Sequence, residues 1–225
     1  MSRAAMVLTT SLPLYDSRRR EHSNVLYTPN GVDTRLFRRA LEELTVPCDM
    51  TDVCHPIVGY VGNVRWWLDC DLIETVVDAM SDTEFVFIGP ISCQQVVDRL
   101  NTRTNVRFLG LKPRNSLPTY LRQFDVTLCP FRKDNYFQCA RPLKILEYLS
   151  AGKPVVTTPL HAISDLADVL YLASSPDETI AALKKALSEA SDPELISRRL
   201  QRAAENDWDV LTSKTAEAIL ALCRA

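Results

Sequence analysis

At 225 residues the chain is long for one domain and short for two. Its 46% hydrophobic and 24% charged residues are ordinary for a globular chain, which at this length buries roughly 70% of its extended surface. A formal net charge of −2 gives no electrostatic case for nucleic acid, and no apolar run approaches the ~18 residues of a membrane span.

The first stretch predicts a helix from Ser11 to about Arg20, with Arg18, Arg19 and Arg20 on a solvated face beside Glu21. A short strand at Asn24–Tyr27 follows, then a turn-rich linker, Thr28-Pro29-Asn30-Gly31-Val32-Asp33. A lone helix and strand cannot form a domain, so residues 1–33 read as the tail of a preceding domain plus a linker. From residue 56 short apolar runs alternate with amphipathic stretches. The runs Ile57–Val61, Phe85–Ile88, Val106–Leu109, Val126–Leu128, Val155–Thr157 and Val169–Leu172 are continuous and β-branched or aromatic. Strands buried on both faces of a parallel sheet read this way. Between the first two, Leu72, Ile73, Val76, Val77 and Met80 make one helical stripe. The repeated alternation predicts right-handed crossovers and an α/β, Rossmann-like doubly wound parallel sheet over residues 34–206. Ser175-Pro176-Asp177-Glu178 is a capping box, with Ile180, Leu183 and Leu187 as the stripe behind it. Asp192-Pro193 starts another helix, and Asp207 caps a closing one within residues 207–225, from Trp208 to about Cys223. No strand follows it, so it must pack on something outside the repeat.

Seven cysteines without a C-x-x-C pair, and three scattered histidines, give no metal-ligand spacing. Free thiols fit a reducing cytosol, and the first residues lack a signal-peptide core. The expected location is therefore cytoplasmic.

Three of the six glycines directly follow strand runs: Gly62, Gly89 and Gly110. Ligands of open parallel sheets bind outside the carboxyl ends of the strands, where glycine lets backbone N–H groups approach. Tight strand-to-helix turns also want glycine, so the pattern alone leaves both roles open. The stretch Arg141-Pro142-Leu143-Lys144-Ile145-Leu146-Glu147-Tyr148-Leu149-Ser150-Ala151-Gly152 is a helix bounded by proline and glycine. Leu143, Leu146 and Leu149–Ser150 are expected on its core face. The N–H groups of Leu143 and Lys144 point out of its positive end, which suits a diphosphate. Glu147, one turn on, can accept two ribose hydroxyls. Taken alone it reads as a surface charge before it reads as a ligand.

Over residues 8–170 the chain resembles the C-terminal domain of family 4 glycosyltransferases of GT-B architecture. The likeness is carried by Pro29-Asn30-Gly31-Val32-Asp33, Gly59-Tyr60-Val61-Gly62, Asn105–Gly110, Leu117–Val126 and, most specifically, Pro142–Val156, with Asn206-Asp207-Trp208-Asp209 added near the end. The resemblance implies retaining, hexosyltransferase-type transfer from a nucleoside diphosphate sugar to a glycan, lipid or small acceptor, as in polysaccharide biosynthesis. It implies no cofactor and no metal. Its implied substrate-binding residues are Gly62, Asn63, Arg65, Gly89, Pro90, Gly110, Leu111, Lys112, Arg141, Leu143, Lys144 and Glu147. Catalytic residues stay unknown, because the resemblance puts them on an N-terminal acceptor domain, present in cis or in trans, of which residues 1–33 are the remnant. It also brings peripheral association of the full enzyme with the inner face of the membrane. Two departures stand out. The family often carries two glutamates eight apart, but here Cys139 precedes Glu147; and Asn63-Val64-Arg65-Trp66-Trp67 replaces an arginine-then-lysine loop, so that Arg65 or Lys144 would supply the cation. The Trp66–Trp67 pair is expected to pack. Two other readings share the fold: a non-catalytic or split-subunit module, and a 2-epimerase, for which no acid/base pair shows. A dinucleotide-binding domain would want G-x-G-x-x-G after the first strand, and there is none.

Overall fold

The computed structural model of the chain describes residues 4–133 and 140–224. A strand β1 (Val7–Thr9), helix α1 (Leu12–Arg18) and strand β2 (Val25–Tyr27) come first, and the two strands pair in parallel as a sheet of their own. β1, whose central Leu8 is exposed, is not among the expected strands, although its partner β2 is. After helix α2 (Thr34–Arg38) the expected six strands follow as β3 (Ile57–Val61), β4 (Glu84–Ile88), β5 (Val106–Gly110), β6 (Val126–Cys129), β7 (Val155–Thr157) and β8 (Tyr171–Leu172). They form one sheet in the order β5-β4-β3-β6-β7-β8, every neighbouring pair parallel. Counted from β3 this is 3-2-1-4-5-6, whose order reverses between β3 and β6. A crevice at the carboxyl end of β3 is the consequence.

The helices are α3 (Cys70–Ala79), α4 (Gln94–Leu100), α5 (Leu117–Gln123), α6 (Leu143–Ser150), α7 (Pro176–Ser188), α8 (Pro193–Ala204) and α9 (Trp208–Arg224). Their starts obey the sequence: the carboxylates of Asp69 and Asp192 and the hydroxyl of Ser175 each accept a first-turn N–H. In the capping box the return bond from Glu178 lands on the Ser174 N–H, one residue before the cap. The core is continuous. β3 and β6 are buried along their whole length, and Ile73, Val76, Leu183 and Ala203 close the layers from the helices. Gly59 shows how tight the centre is, since a Cβ there would meet the Phe124 ring at 2.0 Å.

α9 is the exception. None of its residues is buried, and Trp208, Val210, Ile219, Leu220 and Leu222 are exposed. Its start is tied to the linker: the Trp208 N–H donates to the Val32 carbonyl at 3.1 Å, Asp207 accepts from the Thr34 hydroxyl at 2.5 Å, and Arg35 pairs with Asp209 at 3.0 Å. Among the described residues no helix is long and apolar enough to cross a membrane.

Candidate functional site

The crevice at the switch point holds a cleft of about 320 Å³, walled by the ends of β3, β4 and β5 and by the start of α6. Gly62, Gly89, Pro90, Leu111, Lys112, Leu143, Lys144 and Glu147 all line it, joined by Leu117. Eight of the twelve expected residues are thus brought together. The other four are not on its walls.

The glycines serve space rather than donors. Gly62 and Gly89 have φ of +149° and +141°, and a Cβ on Gly89 would lie 2.1 Å from the Gly62 carbonyl oxygen. Their N–H groups are already engaged, Gly62 with the Ile88 carbonyl at 2.7 Å and Gly89 with that of Gly110 at 2.8 Å. The expectation that these N–H groups approach a ligand is therefore corrected: they knit the loops to one another. Gly110 contributes that carbonyl and a turn with φ +67°.

Contacts made beyond its first turn hold α6 in place. Ile145, Leu146, Tyr148, Leu149 and Ser150 are buried, and the Tyr148 hydroxyl both accepts from the Val61 N–H (2.6 Å) and donates to the Val61 carbonyl (3.1 Å). That pair of hydrogen bonds sets the helix on the end of β3. At its far end Gly152, with φ +72°, closes a Schellman pair: Gly152 N–H to Leu149 and Lys153 N–H to Tyr148. Leu143 departs from expectation. It is 43% exposed and faces the cleft rather than the core. The Leu143 and Lys144 N–H groups lie in the first turn, where the helix supplies no acceptor.

Two charged groups converge here. The Lys144 ammonium donates to the Tyr60 hydroxyl at 2.6 Å and lies over the Tyr60 ring, 4.1 Å from its centre, with Phe131 at 5.4 Å. It would sit 2.3 Å from a Cβ on Gly62. Glu147 is the one carboxylate among the described residues lining the cleft. Burial pushes its carboxyl above the usual range, against the opposing pull of Arg114 and Lys144. Neither forms an ion pair among the described residues.

The remaining expected cations are committed elsewhere. Lys112 pairs with Asp49 at 2.6 Å, and Tyr120 donates to the same carboxylate. Arg141 is buried away from the cleft, bonded to Asp165 (2.6 Å), the Ala162 carbonyl (3.1 Å) and Asn206 (3.0 Å). It anchors the α6 approach to the end of α8, which its place beside a helix start in the sequence cannot reveal. Arg65 is exposed and stacks on Trp67 at 5.1 Å. Asn63 offers its carbonyl to the Tyr60 hydroxyl at 3.0 Å. Trp67 packs partly against the core as expected, whereas Trp66 is 44% exposed. Cys139 lies outside the described residues. Sequence reasoning missed Tyr60 and Arg114; the only signal for Tyr60 was its place inside Gly59-Tyr60-Val61-Gly62.

The profile of the family described as Glycosyl transferases group 1 matches residues 55–189. The chain belongs to this family. Among curated relatives, TuaH of Bacillus subtilis (strain 168), whose name ascribes to it a glycosyltransferase role in teichuronic acid biosynthesis, is 29% identical over 161 residues. That match covers 69% of this chain and 41% of TuaH. Sulfoquinovosyl transferase SQD2 of Arabidopsis thaliana is 23% identical over 195 residues, covering 82% of this chain and 37% of SQD2. The chain thus spans about two fifths of the length of the curated relatives it matches. HepE of Anabaena, solved with UDP and glucose, superposes with a TM-score of 0.68 at 16% identity over 96% of this chain and 63% of its own. A glycosyltransferase from Rickettsia africae gives 0.77 at 12% identity over 97% and 63%. At such identities the solved structures establish the shared GT-B C-terminal fold.

Proposed function

We propose that this chain is the donor-binding half of a retaining glycosyltransferase that takes a nucleoside diphosphate sugar. Residues 34–206 are the nucleotide-sugar domain, residues 1–33 belong with an acceptor domain and linker, and residues 207–225 are the closing helix. One observation carries the reading: at the switch point of a family sheet, an ammonium and a carboxylate without ion-pair partners among the described residues converge one helical turn apart. Glu147 accepts the ribose hydroxyls. Lys144 and the first-turn N–H groups of α6 meet the diphosphate, whose charge grows as the sugar departs, so catalysis at this half is electrostatic. The protein's own cation and helix dipole meet that charge in this reading, with no metal required. Support for the donor class comes from family membership and from the UDP held by HepE.

The acceptor and any base belong to an N-terminal acceptor domain in cis or in trans. The unburied α9, with its exposed Trp208, Ile219 and Leu220, supports such a covering partner and keeps the split-subunit reading alive. A 2-epimerase is disfavoured because Glu147 has no carboxylate or histidine companion among the described residues of the cleft. The reading places the enzyme in the cytoplasm, the full enzyme lying against the inner membrane face, in polysaccharide biosynthesis. Isothermal titration with UDP, GDP and ADP, repeated with a chelator, tests it. At least one diphosphate should bind, equally with and without chelator; silence from all three at millimolar concentration sinks it.

A further inference from the structure

We propose that Tyr60 is the positioning residue of the diphosphate site: its hydroxyl holds the Lys144 ammonium against Gly62 and so gives the cleft its preference for diphosphates over nucleosides. The inference rests on the donor-site reading above and adds a residue to it.

A lysine on a first helical turn ordinarily swings through solvent on a flexible stem. Lys144 does not. Its ammonium lies over the face of the Tyr60 ring, with Phe131 on a second side and the bare Cα of Gly62 on a third. Tyr60 is itself 1% exposed, on a strand buried along its whole length, so its ring cannot follow the lysine about. The hydroxyl has a defined direction as well. Its proton goes to the Asn63 carbonyl at 3.0 Å, which leaves its lone pairs for the Lys144 Nζ at 2.6 Å. One buried hydroxyl therefore links the first turn of α6 to the loop after β3, and the ammonium keeps further N–H bonds for an anion in the cleft.

A tyrosine that merely fills the core would be replaceable by phenylalanine without effect on ligand choice. The full chain is compared as wild type, Tyr60→Phe, Lys144→Ala and the double variant. Titration uses whichever of UDP, GDP and ADP binds the wild type best, beside its free nucleoside. Tyr60→Phe should lower diphosphate affinity about tenfold and leave nucleoside affinity within about twofold, since the hydrogen bond it removes is to a charged group. It should cost nothing further in the Lys144→Ala background, because it acts through that ammonium. A second measurement needs no ligand. In the ¹⁵N-lysine-labelled chain the Lys144 ammonium should give a protected signal, identified by its absence in Lys144→Ala, and Tyr60→Phe should abolish it. The proposal fails alone if Lys144→Ala lowers the diphosphate-to-nucleoside ratio while Tyr60→Phe leaves that ratio, or the ammonium signal, as in wild type. If Lys144→Ala leaves the ratio unchanged, or no diphosphate binds, the donor-site reading falls and takes the proposal with it.

Discussion

Replacing Glu147 by glutamine should separate binding from stability, because the two respond with opposite signs. The amide keeps the shape of the carboxylate and one accepting oxygen, but loses the charge. A hydrogen bond to a charged group is worth about 1.5–3 kcal/mol and a neutral one about 0.5–1.5 kcal/mol. The loss is then roughly 1–1.5 kcal/mol for each ribose hydroxyl, and since about 1.4 kcal/mol is a factor of ten, affinity should fall about tenfold for one bond and about a hundredfold for two. Stability should move the other way. The carboxyl is raised by burial, so the folded state binds its proton more tightly than the unfolded chain does. Below the ordinary carboxylate range, about pH 4, both states are protonated and the group costs nothing. The cost grows as pH rises through the window between the unfolded and the raised folded value, and is complete above it. Glu147→Gln should therefore melt higher than wild type at neutral pH, and the gap should close at about pH 4. Wild-type affinity should also fade on acidification before an ordinary carboxylate would titrate. Calorimetric titration of the best-binding diphosphate and thermal melts at both pH values read all of this. A variant that melts lower at neutral pH yet binds as wild type would falsify the assignment and make Glu147 a structural anchor.

Three other outcomes are expected. Lys144→Ala should weaken the diphosphate about tenfold or more while sparing the free nucleoside, measured by parallel titrations; equal losses would mean the ammonium merely shapes the helix. Gly62→Ala places a Cβ 2.3 Å from the Lys144 Nζ at φ +149°, so it should displace the ammonium and lose diphosphate binding, at a stability cost of about 1 kcal/mol; wild-type affinity would refute the close approach. Arg141→Ala should leave Asp165 and the Ala162 carbonyl unpaired, cost about 3 kcal/mol and lower Tm by about 6–12 °C, while chain still folded binds the diphosphate normally; a selective loss of binding would return Arg141 to the site.

The sheet was legible because strands buried on both faces cannot alternate: the continuous runs announce β3, β4, β6 and β7 for that reason. The edge strands β5 and β8 carry continuous runs although they are mostly half-buried or exposed. Of the glycines after three of those strands, Gly62 and Gly89 line the cleft and Gly110 does not. Their use differs from expectation: glycine in sequence reports freedom of the backbone, not what its N–H bonds to, and in the fold two of the three donate to the ends of neighbouring strands. Leu143 was hidden by its chemistry, since a leucine at helical spacing looks like core even when it lines a cleft. Arg141 shows the limit most plainly. Its partners Asp165 and Asn206 lie 24 and 65 residues away, a distance over which local pattern carries no information.

Charge partnership decides which of the expected residues can meet a ligand. Six of them carried a polar side chain: Asn63, Arg65, Lys112, Arg141, Lys144 and Glu147. A cation already 2.6 Å from a carboxylate, as Lys112 and Arg141 are, must break that pair or share it before it can serve a phosphate, and leaving a half-buried charge unpaired is expensive. Arg65, stacked on Trp67, lies outside the cleft walls. Lys144 has given its ammonium to a hydroxyl and two rings, partners that fix its position without neutralising it. Among the described residues Glu147 has burial and no ion pair at all. A folded chain tolerates an unneutralised pair of this kind where a ligand completes it, since binding to the native state alone offsets the cost through mass action. The same logic explains why the two residues sit one turn apart on α6 rather than on separate loops: the Tyr148 clamp on Val61 fixes that helix, and with it the spacing between the two groups that, in the proposed reading, meet a ribose and the phosphate attached to it.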